Sequence, residues 1–136
     1  MIRPIVHDPL FLAQKSEPAT QSDLSVVTDL KDTLQAHLDG CVGMAANMIG
    51  IKKRIIIFCN GPFQMVMLNP LITQKSGAYE AEEGCLSLAG VRKTRRYQNI
   101  TVSYQDERLL PRIGTFQGYI ARIIQHEIDH CDGILI

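Results

Sequence analysis

The amino-acid sequence predicts an α+β domain in which two long helices accompany several short antiparallel strands. Two segments, residues 22–38 and 115–130, have the hydrophobic spacing of amphipathic helices. Between them, short apolar or alternating runs are bounded by turn residues, and an asparagine–glycine pair indicates a hairpin. Two helices among several short strands are typical of the α+β class. With 136 residues the chain is large enough for one core but not for two, so we expect a single domain over residues 1–136.

The first predicted helix covers residues 22–38. Ser22 or Asp23 is expected to cap its N-terminus, and Gly40 is expected to end it. Its apolar residues recur on one side of the helix, at Leu24, Val27, Leu30, Leu34 and Leu38.

Three short strands are predicted after this helix. Residues 54–59 and 64–68 form two of them, joined through the turn pair Asn60 and Gly61. Residues 100–105 alternate apolar and polar side chains, as a strand with one solvated face does. We expect these strands to pair antiparallel.

The second predicted helix, residues 115–130, ends in the sequence His-Glu-Ile-Asp-His. Two histidines four residues apart project from the same side of a helix, so His126 and His130 can bind one metal ion. Glu127 can then accept a proton from a water molecule that the metal activates. The plain alternative is a polar helix face that carries two histidines by chance.

The histidines are predicted to border the core. Rotating by about 100° per residue places His126 and His130 at the edge of an apolar arc. That arc consists of Ile120, Ile123, Ile124, Ile128 and Cys131. Arg122, Gln125 and Asp129 share the opposite side, which is expected to face solvent.

A catalytic metal site of this kind needs a third protein ligand and an open position. The sequence given ends soon after His130, so the third ligand is expected upstream. Cys85 is favoured because Gly84 before it permits an unusual backbone turn and its flanking residues are polar. Cys59 lies in an apolar run and fits a core position better. The remaining candidates are several carboxylates, His7, His37 and Cys41.

Three sequence segments occur in an order that is characteristic of one family. Residues 41–48 read Cys-Val-Gly-Met-Ala-Ala-Asn-Met, residues 83–87 read Glu-Gly-Cys-Leu-Ser, and residues 126–130 read His-Glu-Ile-Asp-His. The chain thereby resembles the peptide deformylases, whose three motifs are G-x-G-x-A-A-x-Q, E-G-C-x-S and H-E-x-x-H. The resemblance implies antiparallel sheets around a central helix that carries H-E-x-x-H.

The resemblance also implies a function and a set of site residues. Peptide deformylases are metal-dependent hydrolases that remove the N-formyl group from the N-terminal formyl-methionine of newly made polypeptides. Cys85 as a thiolate, His126 and His130 would bind the metal, and Glu127 would transfer the proton. The backbone N–H of Leu86 would stabilise negative charge on the formyl oxygen.

Five further residues match the family's substrate site. Val42, Gly43, Tyr119 and Ile123 would surround the methionine side chain, although core packing explains Val42 and Ile123 equally well. Arg92 would bind the peptide backbone of the substrate. It belongs to a basic run at residues 92–96 that otherwise fits a solvated loop.

The first motif departs from the family pattern at its last position. Met48 stands where the family has a glutamine that donates to the developing oxyanion, and methionine has no hydrogen to donate. Two alternatives to a fully active deformylase therefore stay open. One is a paralogue that binds metal and peptide without turnover, and the other is a hydrolase of a different N-acyl group. Asn47 could supply an amide in place of the glutamine if the loop shifts.

The sequence and the family resemblance also predict a metal cofactor, interaction partners and a cellular compartment. One divalent metal ion is expected, and the family resemblance implies Fe²⁺. A Cys-His-His site intrinsically favours Zn²⁺ over Fe²⁺, and Ni²⁺ or Co²⁺ would also fit.

Lys plus Arg equals Asp plus Glu at 14 each, so no general charge favours nucleic acid or an anionic membrane. Irregularly placed cysteines and the lack of a signal-peptide pattern or long apolar run predict a cytoplasmic protein. The partner that the resemblance implies is the formyl-methionyl peptide. A transient encounter with the ribosome is the only further contact expected, and some family members make ribosome contact through an additional C-terminal segment.

Overall fold

Five strands form one antiparallel sheet in the order β1-β2-β3-β4-β5 in the computed structural model, which describes residues 1–136. The strands are β1 (Gly43–Ala45), β2 (Ile55–Asn60), β3 (Phe63–Gly84), β4 (Val91–Gln105) and β5 (Pro111–Gln117). The helices are α1 (Pro9–Leu12), α2 (Leu24–Ala36) and α3 (Gly118–Cys131), with short 3₁₀ turns at Gln21–Asp23 and Ala46–Ile49. The predicted α+β class with antiparallel pairing is confirmed.

The two long helices pack on opposite faces of the sheet. Ile55 and Ile57 of β2 belong to the apolar cluster that α2 covers, whereas Ile56 and Phe58 belong to the cluster that α3 covers. Successive side chains of a strand point to opposite faces, so this alternation places one helix on each face. The strands form one sheet rather than several. Bulges in β3 near residues 68–74 interrupt its register with β4, and α3 contacts β1 and β2 as well as β4 and β5.

Both long helices begin differently from the prediction. The α2 helix is preceded by a 3₁₀ turn, in which the Asp23 carboxylate accepts a 2.8 Å hydrogen bond from the backbone N–H of Thr20. Asp23, one of the two predicted caps, occupies the N-cap position of α2, but its side chain forms no capping hydrogen bond to that helix. The helix ends at Ala36, before the expected Gly40. The α3 helix begins at Gly118, which has a φ of +60°, and not at residue 115.

The sheet is larger than the sequence predicted. The turn at Asn60 and Gly61 is confirmed, but β3 continues to Gly84 and pairs with a β4 that starts at Val91. The added part of this hairpin is mostly solvent-exposed, so it lacks the apolar pattern that predicts strands. It contains cross-strand pairs of opposite charge, such as Glu80 opposite Arg95, which favour strand pairing.

No helix has both the length and the apolar character that crossing a bilayer demands.

Candidate active site

An open cavity of about 660 Å³ lies where the start of α3 meets β1 and the loop between β3 and β4. His126 and Glu127 of α3 form one wall, and Cys85, directly after β3, forms another. The residues before β1, together with Met48, complete the lining. Residues far apart in sequence therefore meet here because the sheet brings β1 and the end of β3 beside the same helix.

Cys85, His126 and His130 converge as the sequence predicted. Nε2 of His130 lies 3.3 Å from Sγ of Cys85 and 3.2 Å from Nε2 of His126, and the three atoms lie within 4.8 Å of one another. A tetrahedral ion with bonds of about 2.0–2.3 Å would separate its ligand atoms by about 3.3–3.6 Å. The donor set and its spacing fit one divalent metal ion.

Glu83 fixes the orientation of His126. Its Oε1 accepts a 2.8 Å hydrogen bond from Nδ1 of His126, which leaves Nε2 directed at Cys85 and His130. The same carboxylate is bound by the guanidinium of Arg96 at 2.7–3.1 Å and by Nε of Arg122 at 2.8 Å. Asp129 accepts a further bond from Arg96 at 2.7 Å. Carboxylates that hold the second nitrogen of a histidine are a common feature of metal sites.

The charges of the cluster shift several pKa values. Burial disfavours the charged form of Glu83, but hydrogen bonds from His126 and Arg96 lower its pKa to about 2. Burial opposes protonation of His126, yet Cys85 and Glu83 raise its pKa to about 10. Burial and the charge of His126 lower the pKa of His130 to about 3. A proton on His126 therefore disfavours a second proton on His130, so the two imidazoles do not both carry a positive charge.

Glu127 is buried beside this cluster. Its Oε1 has no hydrogen-bond partner within the chain, and burial raises the pKa of its carboxyl group to about 7. Gly43 makes room for it, because a Cβ at that position would lie 2.8 Å from Oε2 of Glu127 and 2.9 Å from Cγ2 of Ile123. A buried, unpaired carboxylate with a pKa near neutrality is suited to accept and return a proton.

The residues of the first motif lie where they were expected, but their side chains are already engaged. Met48 lines the cavity, and its sulfur lies 3.5 Å from the backbone N–H of Ala45. Asn47 donates to the carbonyl oxygen of His130 at 2.9 Å. Its amide is therefore engaged in this structure, and it could replace the missing glutamine only if the loop shifted.

The predicted substrate residues divide into two groups. Val42, Gly43, Tyr119 and Ile123 line the cavity together with Leu86, whose backbone N–H bonds to no group of the chain. Arg92 does not line it, and its guanidinium donates to the carbonyl oxygen of Ala89 at 3.3 Å.

The sequence of the chain matches the polypeptide deformylase family over residues 2–136. The chain belongs to that family. A peptide deformylase of Clostridium beijerinckii is 55% identical over 136 residues, which is all of both chains. A peptide deformylase of Pelotomaculum thermopropionicum is 39% identical over 124 residues, covering 90% of this chain and 79% of that protein.

Solved deformylase structures share the fold. A peptide deformylase from Legionella pneumophila superposes with a TM-score of 0.89 at 33% identity, covering 99% of this chain and 83% of the other. A peptide deformylase from Acinetobacter baumannii, crystallised with Met-Ala-Ser, also gives 0.89, at 29% identity, covering 99% and 97%. Deformylases are metal-dependent enzymes that remove the N-formyl group from newly made polypeptides, so this chain is a hydrolase of that class.

Sequence patterns alone did not single out the ionic partners of this deformylase site. The basic run at residues 92–96 was interpreted as a solvated loop with one functional residue, Arg92. It lies in β4, and Arg96 is the buried arginine that binds Glu83. Gln125, expected to face solvent, is buried and bonds the backbone N and O of Tyr97 at 2.9 and 2.8 Å. Glu83 was detectable in principle, because it opens the second motif directly before Gly84 and Cys85.

Proposed function

We propose that the chain hydrolyses the N-formyl group of peptides that begin with formyl-methionine. Cys85, His126 and His130 would hold one divalent ion, and Glu127 would move the proton. The observation that carries this proposal is the convergence of the thiol and two imidazoles within 4.8 Å, beside a buried carboxylate. When bound, the ion would supply Lewis-acid polarisation and the activation of a water nucleophile.

Fe²⁺ is the ion that we assign to the site. The Cys-His-His donor set by itself favours Zn²⁺ over Fe²⁺, so the assignment follows the family and not ligand affinity. Zn²⁺, Ni²⁺ and Co²⁺ fit the same spacing of donor atoms and would be outcomes of metal analysis.

Glu127 acts as the base and then as the acid. Its carboxylate takes a proton from the attacking water as the C–O bond forms at the formyl carbon. The proton then passes to the amine nitrogen as the C–N bond breaks, which releases formate and a free α-amine. Burial supports both steps, because a carboxyl group with a pKa of about 7 both accepts and donates a proton near neutral pH.

Leu86 contributes its backbone N–H to the formyl oxygen. This N–H lies in the residue after Cys85 and has no partner within the chain. The Met48 thioether has no hydrogen to donate, so the oxyanion has one fewer donor here than in the family pattern. The loss of one such donor costs about a hundred- to a thousand-fold in rate in other hydrolases. We therefore expect slower turnover than in family members with glutamine at this position.

The substrate peptide would lie in the cavity with its methionine side chain among apolar residues. Val42, Tyr119 and Ile123 provide that surface, and Gly43 leaves space beside Glu127. The Acinetobacter baumannii deformylase binds Met-Ala-Ser, a peptide that begins with methionine, which supports this placement. Arg92, outside the cavity lining, would bind the peptide backbone only if its side chain left Ala89.

The reaction would take place in the cytoplasm, where polypeptides are made, with all 136 residues acting as one domain. All four cysteines are free thiols, which suits a reducing compartment. Any encounter with the ribosome would be transient, and no nucleic acid or membrane would take part.

A substrate comparison tests the proposal. The protein is purified without oxygen, loaded with Fe²⁺, and given formyl-Met-Ala-Ser and acetyl-Met-Ala-Ser in parallel, with the Glu127→Gln variant as the inactive control. Turnover of the formyl peptide alone supports the proposal. Binding without turnover would identify a deformylase-like binding protein, and turnover of the acetyl peptide would identify a hydrolase of other acyl groups.

A further inference from the structure

The loop at residues 85–90 carries two groups of the proposed site but has little backbone support of its own. It contains Cys85 and the N–H of Leu86. None of its backbone N–H or carbonyl groups forms a hydrogen bond to another backbone group, although β3 and β4 pair up to Gly84 and Val91 on either side. The position of the loop therefore depends on side chains, of which Leu88 is buried and Arg92 reaches Ala89.

A segment near the N-terminus, residues 5–8, links this loop to the first motif. The backbone N–H of Val6 donates to the carbonyl oxygen of Met48 at 2.8 Å. The next residue, His7, places Nδ1 3.0 Å from the carbonyl oxygen of Ser87. A carbonyl oxygen only accepts, so Nδ1 of His7 is the donor. Two adjacent residues thus bind two different walls of the active site.

We infer that His7 is a positioning residue for the deformylase site, an inference that rests on the proposed function. His7 does not line the cavity, so it acts through Ser87. Its hydrogen bond fixes the Ser87 carbonyl, one residue after the Leu86 N–H and two after the Cys85 thiol. Without it, the loop keeps three apolar contacts: Leu88 is buried, and Cys85 and Leu86 pack against the cluster that α2 covers. It loses its polar link to the chain outside the β3–β4 hairpin and the metal ligands.

Three substitutions isolate this hydrogen bond. His7→Ala removes the donor. His7→Asn retains one, because the asparagine Nδ2 occupies nearly the same place as the histidine Nδ1. His7→Phe keeps a ring of similar size without a donor, and it replaces His7→Ala if that variant does not fold. The control is His37→Ala, since Nδ1 of His37 also bonds a backbone carbonyl, that of Thr33 at 2.8 Å, but within its own helix end.

The first measurement follows retention of Co²⁺. Each protein is loaded without oxygen, and the thiolate–Co²⁺ absorption is followed after addition of a chelator. We expect His7→Ala to lose the ion several-fold faster than the wild type. The effect should be smaller than the roughly 10–100-fold of a partner bonded directly to a metal ligand, because His7 bonds Ser87, two residues after Cys85. His7→Asn and His37→Ala should stay close to the wild-type rate. Equal rates in His7→Ala and the wild type would overturn the inference, and so would equal impairment of His7→Ala and His7→Asn.

The second measurement separates a positioning role from a general loss of stability. With the ion fully loaded, kcat for the formyl peptide should fall several-fold in His7→Ala, because the loop that carries the Leu86 N–H is less well positioned, while KM should change less. Thermal unfolding is recorded alongside, and a lowered melting temperature with unchanged kcat and ion retention would overturn the inference. If the wild type itself does not turn over the peptide, the proposed function fails, and the Co²⁺ comparison alone still decides the role of His7.

Discussion

Helices α2 and α3 cover opposite faces of the same sheet but bury very different residues. The buried residues of α2 are Val26, Val27, Leu30, Thr33 and Leu34, of which only Thr33 is polar. The α3 helix buries nine residues, and four of these are polar: Gln125, His126, Glu127 and His130. Burial of polar groups is unfavourable unless they are hydrogen-bonded or bind an ion. The α2 helix therefore mainly stabilises the fold, whereas α3 holds the proposed catalytic and metal-binding residues and buries polar groups that lower its contribution to stability.

Two of the four buried polar residues on α3 have a side-chain atom without a hydrogen-bond partner. Gln125 is satisfied by the backbone of Tyr97 and the carbonyl oxygen of Ala121, and His126 is bound by Glu83. Oε1 of Glu127 and Nδ1 of His130 are buried without a partner. Oε1 belongs to the proposed base, which is expected to act on water and substrate. The ion would bind the other ring nitrogen of His130, Nε2, so Nδ1 keeps no partner within the chain.

The largest effect should come from Glu127→Gln on α3. The substitution keeps the shape of the side chain but removes the base, so kcat for the formyl peptide should fall by about 10²–10⁴-fold. Metal content should not change, because Glu127 is not a proposed ligand. Steady-state kinetics and elemental analysis of the same preparation check both statements. Activity within a factor of ten of the wild type would show that Glu127 is not the base.

Glu83→Gln should weaken both metal binding and folding. The buried Arg96 would lose its ion pair with Glu83 but keep the one with Asp129, so the free energy of unfolding should fall by less than the roughly 3–5 kcal/mol of a buried charge left unpaired. Metal affinity should fall by about 10–100-fold, because His126 loses the group that orients it. Urea denaturation and metal titration measure the two losses, and an unchanged metal affinity would contradict the role assigned to Glu83.

The effect of Glu83→Gln on stability should also depend on pH. The pKa of Glu83 is lowered to about 2 in the folded protein, from its usual value of 4.5. Its contribution is therefore present above pH 4.5 and is lost as the pH falls towards 2. The stability difference between wild type and variant should narrow over that range.

Leu30→Ala tests whether α2 contributes to stability without contributing to the active site. Leu30 is fully buried on α2, and truncation of a buried leucine costs about 2–5 kcal/mol. Metal affinity and kcat per folded molecule should remain at wild-type values, because α2 contributes no proposed ligand or proton carrier. A tenfold change in either quantity would show that the two faces of the sheet are not separable.

Met48→Gln should have the smallest effect, and it should raise kcat where the other active-site substitutions lower activity or metal binding. Glutamine restores a donor for the oxyanion, but it also places an amide against the apolar cluster that Met48 joins. We expect kcat to rise by about tenfold, less than the hundred- to thousand-fold value of an unencumbered donor. No rise would show that another step limits turnover or that the position does not face the formyl oxygen.

The two helices also show how much the sequence could predict. The apolar face of α2 follows from the spacing of its own residues, and Val27, Leu30 and Leu34 are buried as expected. On α3 the motif predicted the convergence of Cys85, His126 and His130. Of the partners of the helix, Glu83 was recognisable only from its place in the second motif. Arg96 could not be predicted, because it lies on a strand whose exposed pairing has no apolar pattern. The burial of Gln125 likewise depends on its contact with the backbone of Tyr97, a tertiary contact that helical periodicity does not contain.

Elemental analysis of oxygen-protected protein tests most directly whether α3 and Cys85 form a metal site. The wild type and Cys85→Ser are purified in parallel, with Cys59→Ser as the matched control, because Cys59 is a half-buried thiol outside the cluster. We expect one divalent ion per chain in the wild type and in Cys59→Ser, and a small fraction of that in Cys85→Ser. A wild type without a bound ion, or a Cys85→Ser variant with an undiminished content, would contradict the account.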